Sequence, residues 1–368
     1  RDEDLRADRQ PEFTQIDIEM SFVGEEDVME MAEGLMASVY GAVLAKTLPR
    51  PFARLTWDEA LGRYGLDKPD VRFGLELVNI SEVAAECSFK VFAGAVAKGG
   101  MVKALNAKGC EHFSRKEIDD LTDMAAIYRA KGLAWIKVRE EGWQSPIAKF
   151  FTDEEKAALT ERINMEKGDL VFFVADEFKV VNEALGHLRN HLGRRLGLID
   201  ESQHAFVWVT DFPLMAYDET THRFEALHHP FTAPKEADYD LLASDPAAAR
   251  SRAYDLVLNG AEIGGGSIRV HQRELQEQVF AALGLQREAF EEKFGFLLSA
   301  LDSGAPPHGG IAFGFDRLVA IMCNEASIRE VIAFPKTQKA ACSLTDAPSA
   351  PTKQQLDELA LRVKKVVT

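Results

Sequence analysis

The sequence predicts a mostly antiparallel α+β domain interrupted by a second, inserted α+β domain. Three observations carry this. The segment EFTQIDIEMSF, residues 12–22, alternates apolar Ile16, Ile18 and Met20 with Gln15, Asp17 and Glu19, the period of a strand with one apolar face. Residues 260–271, GAEIGGGSIRVH, place three glycines between strand-like flanks. After Lys68-Pro69-Asp70 the character changes, and residues 72–182 alternate strand-like runs with helices and hold no dense cluster of acid, base and glycine. The domains so read are 1–71, the inserted 72–182, and 183–368.

The elements follow in order. Residues 25–46 form a long helix with Val28, Met31, Leu35, Val39 and Val43 at helical spacing, and its methionines fill core. Thr56 with Glu59, Ser114 with Glu117 and Thr152 with Glu155 each open a helix as a capping box. In the insertion, residues 87–92, 132–138 and 170–174 read as strands. A helix resumes over 182–198. AFVWVTD, residues 205–211, is a strand of buried type, and RFEALHHPFT, residues 223–232, is an extended segment in which His228 and His229 point to opposite faces. Residues 251–259 and 267–271 pair as strands, 273–283 and 287–299 are helices, GGIAFGFDR leads from a short strand into another helix, and a last helix runs over 352–366.

Composition narrows the function. At 368 residues, with 46% hydrophobic and 28% charged residues, the chain suits a globular protein with a large core. No run of ~18 apolar residues predicts a membrane span. Four cysteines at no zinc spacing read as buried free thiols in a reducing cytoplasm. A net charge of -16 argues against a generally basic nucleic-acid binder. One local exception is residues 184–199, which hold His187, Arg189, His191, Arg194 and Arg195 and no acid. Two readings fit it, a solvated helix face or a basic groove.

The chemistry gathers around 260–271. Glu262, the glycines Gly264–Gly266 and Arg269 fit either a floor under a flat ligand or a hairpin with a glycine-rich bulge. Arg1, Arg269 and Arg317 lie at strand edges, with Glu3, Asp17, Asp255 and Glu262 as companion acids. Arginine forks suit carboxylates and phosphates, and carboxylates beside them suit a Mg²⁺–nucleotide. No GxxxxGK[ST] or GxGxxG turn is present, so the nucleotide would lie on an antiparallel sheet.

At these residues the sequence resembles a known family. Arg1-Asp2-Glu3, a charged loop and FTQIDIE look like motif 2 of class II aminoacyl-tRNA synthetases, and GFDR, Gly314–Arg317, looks like motif 3. With ALHHPFT and GAEIGGGSIRVH between them, the series is similar to bacterial-type aspartyl-tRNA synthetase. The insertion resembles a domain this family shares with a tRNA-dependent amidotransferase subunit. The resemblance implies a class II synthetase-like antiparallel sheet flanked by helices. It implies ATP, L-aspartate and tRNA(Asp) as substrates, with tRNA(Asn) as a second candidate, Mg²⁺ as cofactor, and a cytoplasmic homodimer.

It also implies residue roles. Arg1 would hold the ATP α-phosphate and the aspartate α-carboxylate, and Arg317 the γ-phosphate. Asp2, Glu3 and Gln10 would line the ATP site, with Gly314, Phe315 and Asp316 beside Arg317. Asp255 and Glu262 would carry Mg²⁺, and Glu262 would also face ATP. Arg269 would fork onto the aspartate side chain, His228 would assist near the substrate with His229 beside it, and Asp17 would hold the ammonium. Arg6 and Arg9 would touch the tRNA acceptor end. The chain starts inside motif 2. A truncated parent is therefore expected, with the anticodon-binding barrel and motif 1 upstream and no activity in the fragment alone. Two other readings are an asparagine synthetase-like paralogue, against which the insertion argues, and a non-catalytic tRNA-binding module, against which the acid and arginine set argues.

Overall fold

The computed structural model describes residues 5–364. The chain divides into a larger unit, residues 18–311, and a smaller unit, residues 1–17 with 312–368. Strand β1 (Gln15–Ser21) keeps the expected alternation, with Asp17 and Glu19 on its exposed face. In the larger unit α1 (Glu25–Leu44) follows. Its buried face is Val28, Met29, Ala32, Met36 and Tyr40, not the row through Met31, Leu35, Val39 and Val43, and Val43 is 66% exposed. The buried Glu33 sets this rotation: its Oε1 accepts from Phe52 N at 3.0 Å and Trp208 Nε1 at 3.1 Å. A buried carboxylate needs such donors, and the helix turns to meet them.

Next come β2 (Ala53–Thr56) and α2 (Trp57–Tyr64), opened by the Thr56–Glu59 capping box. The chain then builds a separate five-stranded sheet from β3 (Leu77–Asn79), β4 (Met101–Ala107), β5 (Ala134–Arg139), β6 (Gly142–Gln144) and β7 (Leu170–Asp176), in the order β3-β4-β7-β5-β6. Its helices are α3 (Ser81–Glu86), α4 (Lys90–Ala97), α5 (Arg115–Ile127), α6 (Asp153–Ile163) and α7 (Phe178–Arg195). Alternate residues of β7 sort the core. Leu170, Phe172 and Val174 pack with Leu121, Leu185 and Leu188 of α5 and α7, while Val171 and Phe173 pack with Phe92 and Leu159 of α4 and α6.

The expected strand over 87–92 is instead the join of α3 and α4. CSFKVF reads with period two, yet Val91 is exposed while Phe92 is buried. Phe89 O accepts from Phe92 N at 3.0 Å and from Ala93 N at 3.2 Å, so the backbone turns into α4 where the alternation would have to pair.

The remaining strands of the larger unit are β8 (Phe206–Thr210), β9 (Met215–Asp218), β10 (Arg223–Ala226), β11 (Ala253–Leu258) and β12 (Ala261–Ile268). Helices α8 (Leu241–Ser244), α9 (Arg273–Ala282) and α10 (Arg287–Asp302) accompany them. Strand β13 (His308–Gly314) contributes 308–311 here, as β1 contributes 18–21, and the sheet order is β1-β13-β12-β11-β8-β2. β8 pairs antiparallel with β11 and parallel with β2. Central β8 is buried on both faces, as its unbroken apolar run requires. The sheets flanked by helices make the fold α+β. β9 and β10 form a separate hairpin.

In the smaller unit α11 (Phe315–Met322) and α12 (Lys353–Glu358) are the helices. The last helix stops eight residues short of the expected 366 because Ala360 takes a left-handed φ of 53° and its N–H turns back to Asp357 O. Three of the cysteines are buried, but Cys323 is exposed. No described helix is long and apolar enough to cross a membrane.

Candidate active site

In the larger unit the site is built on one hairpin. β11 and β12 are joined by Asn259 and Gly260, both at positive φ (53° and 82°), the two-residue turn that matches strand twist. Asn259 anchors it by accepting from Ala205 N at 2.9 Å. Cross-strand pairs run Ala253↔Ser267, Tyr254↔Gly266, Asp255↔Gly265 and Leu256↔Gly264, then slip to Val257↔Glu262. Ile263 is the extra residue of a β-bulge.

The bulge decides which side chains meet. Three residues apart on a regular strand, Glu262 and Gly265 would face opposite sides. The extra residue brings Glu262 onto the face of Asp255 and Gly265. A Cβ on Gly265 would sit 2.6 Å from Asp255 Oδ1 and 3.4 Å from Glu262 Oε1, so the two carboxylates converge over a bare backbone. The same alternation carries on through the bridge Thr232↔Arg269 and puts Arg269 on that face. Gly266 has another task. Its Cβ would lie 2.0 Å from Gly310 O, so its bareness admits the backbone of β13, where Tyr254 Oη donates to Gly310 O at 2.9 Å.

His228 and His229 lie after β10 rather than in a strand, and they still part. His228 Nε2 is 3.7 Å from Asp255 Oδ1 and packs edge-on against Phe212. Burial works to lower its pKa, but the hydrogen bond and charge of Asp255, with Glu262 behind, outweigh it and raise the imidazole above its ordinary value. His229 Nδ1 accepts from Phe231 N at 3.3 Å, and burial and then Arg269 push its pKa down. Hence only His228 joins the carboxylates.

Among the described residues no group of three or more His, Cys, Asp and Glu could enclose a metal. Two converging carboxylates are nevertheless what a hard divalent cation takes from a protein when phosphate oxygens supply its other ligands.

In the smaller unit Arg317 stands in the first turn of α11, and its Nη2 donates to Asp8 O and Oδ2, both at 3.3 Å. Asp316 is committed locally, accepting from Thr14 N at 2.8 Å, and Phe315 N donates to Thr14 O. Gln10 is buried, and its Oε1 accepts from Lys336 N at 2.9 Å. Arg6 and Arg9 exchange backbone hydrogen bonds of 3.2 and 3.3 Å, so they flank a tight turn at Ala7-Asp8. Asp17 is exposed. Arg1, Asp2 and Glu3 lie outside the described residues.

The basic run 184–199 divides: Arg194 and Arg195 are exposed, as a solvated face requires, and its other basic residues are not. Arg189 is fully buried, and its guanidinium donates to Asp70 O, Phe73 O and Gly74 O at 2.7–3.1 Å. His187 stacks on Tyr128 at 4.0 Å, and Arg195 pairs with Glu117. Sequence reasoning also missed two features with local signals. The Asn-Gly pair at 259–260 announces a hairpin turn, and the FPKTQ stretch supplies Lys336 and Gln338 to a cleft beside Arg6 and Gln10.

Comparison with known proteins now adds a family. The model of class II tRNA synthetases (D, K and N) matches residues 1–338. A relative from Desulfosudis oleivorans, named aspartate–tRNA(Asp/Asn) ligase, is 67% identical over 99% of this chain and 61% of its own length. One of the same name from Desulfatibacillum aliphaticivorans is 68% identical over 99% of this chain and 61% of itself. The aspartate–tRNA ligase of Geobacillus kaustophilus is 57% identical over 99% and 62%. The chain thus spans about three fifths of the length of these relatives. With a family match over most of its length and the hairpin site in place, the chain belongs to the class II tRNA synthetases of the D, K and N group.

Proposed function

We propose that this chain carries the aspartate-activating centre of an aspartate–tRNA ligase. The observation that supports it most is the convergence of Asp255 and Glu262 over Gly265, with Arg269 at the next position but one on the same face. In the first step an aspartate α-carboxylate oxygen attacks the α-phosphorus of ATP, and pyrophosphate leaves. In the second, the terminal ribose hydroxyl of the tRNA attacks the adenylate carbonyl, and AMP leaves. Both first-step reactants are anions, so positioning and charge neutralisation dominate catalysis, and no side-chain nucleophile is required.

Asp255 and Glu262 would hold Mg²⁺, which when bound offsets phosphate charge. Arg1 would bind the α-phosphate and the aspartate α-carboxylate, and Arg317 the γ-phosphate. Asp2, Glu3, Gln10, Gly314, Phe315 and Asp316 line the ATP side, and Asp17 takes the ammonium. Arg269 forks onto the side-chain carboxylate, with His228 nearby as a donor whose pKa Asp255 raises against the effect of burial. Rejection of asparagine follows, because a half-buried arginine facing a neutral amide loses its paired anion, a difference of several kcal/mol in order of magnitude. Arg6 and Arg9 meet the acceptor end.

Residues 72–182 form the insertion between the catalytic parts 1–71 and 183–368, with α7 serving both. The relatives' names point to tRNA(Asp) with tRNA(Asn) as a further substrate. The working protein is a cytoplasmic homodimer. ATP–pyrophosphate exchange in the whole protein tests this, with aspartate, asparagine and lysine in parallel. Aspartate alone should support exchange, and none with aspartate would overturn the assignment. Arg269→Ala should abolish it while leaving the fold intact.

A further inference from the structure

The inserted domain holds a groove of about 800 Å³ to which the roles above assign nothing. It opens where the five-stranded sheet splits. β4 stays paired with β7 as far as Met101↔Asp176, but β5 pairs with β7 only to Ala134↔Phe173. The residues before β5, Lys131 to Leu133, line the groove and make no backbone hydrogen bond among the described residues. Leu133 is only 7% exposed, and an unmet backbone group at such a place is costly. Ala134, Phe173 and Ala175 floor the groove with small and apolar surface.

The wall is α4, and its composition points to a missing partner. It reads KVFAGAVA, with no polar residue after Lys90. A helix apolar all round belongs in a core. Yet Phe92 is its one buried residue, and Val91 is 59% exposed. Charge at the rim then narrows the partner. Lys90 and Lys98 stand at the two ends of α4, and neither has an ion-pair partner among the described residues. Lys131 is spent on Asp176 at 3.0 Å, and the remaining acid of the lining, Glu177, belongs to the start of α7. In a chain of net charge -16, two unpaired lysines beside an apolar groove favour an acidic occupant.

We infer that this groove takes an extended peptide segment of a partner protein, with a bulky apolar anchor between two acids. The backbone of Lys131–Leu133 offers main-chain hydrogen bonds, the floor receives the anchor, and Lys90 and Lys98 meet the acids. Eight residues of helix separate the two lysines by about 12 Å, so acids about four residues apart in an extended peptide reach both. The inference is independent of the aspartate-activating reading, since none of these residues serves it.

The test selects random ten-residue peptides displayed on phage against the whole protein, with Gly94→Leu in parallel. Gly94 lines the groove, and a Cβ there meets nothing within 4 Å, so leucine fills the groove and the melting temperature should stay near the parent's. Expected are peptides enriched on the parent alone, each with an apolar anchor flanked by acids. Made synthetically, they should bind Gly94→Leu at least about tenfold more weakly. Lys90→Glu combined with Lys98→Glu should raise their Kd about tenfold and flatten its salt dependence, because two exposed pairs become like-charge contacts. No enrichment over Gly94→Leu would overturn the inference, as would enriched peptides without acids or a Kd that neither variant changes. Self-association of the parent that Gly94→Leu disperses would give the groove to a second copy. Oleate binding that Gly94→Leu abolishes, with no peptide enriched, would give it to an apolar anion. Either result overturns the inference.

Discussion

Replacing Lys103 by methionine should change how stability depends on pH, by an amount the structure sets. Lys103 stands on β4 and is 2% exposed. Its Nζ donates to Leu61 O at 3.0 Å, Gly62 O at 2.9 Å and Asn182 Oδ1 at 2.7 Å, which uses all three ammonium protons. The carbonyls belong to the last turn of α2, the negative end of that helix. Burial still lowers the pKa, from 10.5 to about 8. The sign then follows from linkage. Between about pH 8 and 10.5 the unfolded chain binds more protons than the folded one, so stability rises with pH there. At neutral pH the buried charge opposes folding by about 3 kcal/mol relative to a solvated lysine, and most of that is recovered by pH 10. The methionine variant lacks this term. It loses three acceptor contacts instead, but that loss does not vary with pH. The stability difference between parent and variant, from urea unfolding at pH 7 and pH 10, should therefore shift by about 2–3 kcal/mol in the parent's favour at the higher pH. Any constant offset cancels. Parallel pH profiles would refute the reasoning, because they would mean that Lys103 titrates alike in both states.

Other substitutions probe the same framework. Arg189→Met strands the carbonyls of Asp70, Phe73 and Gly74 and should cost about 3–5 kcal/mol in a denaturation series, and Arg189→Lys should not rescue it, since an ammonium cannot span the three acceptors. Gly266→Ala drives a methyl into Gly310 O and should destabilise by at least the ~1–3 kcal/mol of ordinary overpacking. Gly265→Ala meets two carboxylate side chains instead, so its melting temperature should stay near the parent's while the KM for ATP rises. His228 has a raised folded pKa, so its contribution to stability is complete below the unfolded value of 6.5 and is lost as pH rises through the folded one. Asp255→Asn should lower the His228 titration, followed by NMR, because burial is then opposed only by the charges of Glu262 and Asp67.

Much of the fold was legible because it is written in local chemistry. The capping boxes at Thr56, Ser114 and Thr152 each form with both hydrogen bonds, since a helix start depends on four neighbouring residues and little else. β1 alternates as read because one of its faces stays wet. The misreadings share a different cause. CSFKVF matched a strand over six residues, but α3 ends just before it and α4 takes its last three residues. Glu33 rotated α1 through partners 19 and 175 residues away, Phe52 and Trp208. Arg189 was counted among surface charges because nothing nearby in sequence reveals that the carbonyls of 70–74 fold over it. Tertiary partners of this kind have no local signature.

The candidate site shows the same division within eight residues. Residue types were informative: two acids, glycines and an arginine on a hairpin do come together on one face. What alternation alone could not supply was the face. Counted with period two, Glu262 and Gly265 fall on opposite sides, and Asp255 would have faced a glycine with its partner acid behind the sheet. One inserted residue, Ile263, reverses this. The two readings that the glycine stretch allowed, a bulge and an open floor, are therefore not alternatives. The bulge places Glu262 beside Asp255, and the bare Gly265 keeps the room between them. Inserting one residue between Leu256 and Val257, opposite Ile263, separates the two ideas experimentally, because it makes the ladder regular and turns Glu262 to the other face. If the bulge aligns the acids, the insertion should abolish aspartate-dependent exchange. A folded insertion variant that still exchanges would show that the convergence of these carboxylates does not carry the chemistry.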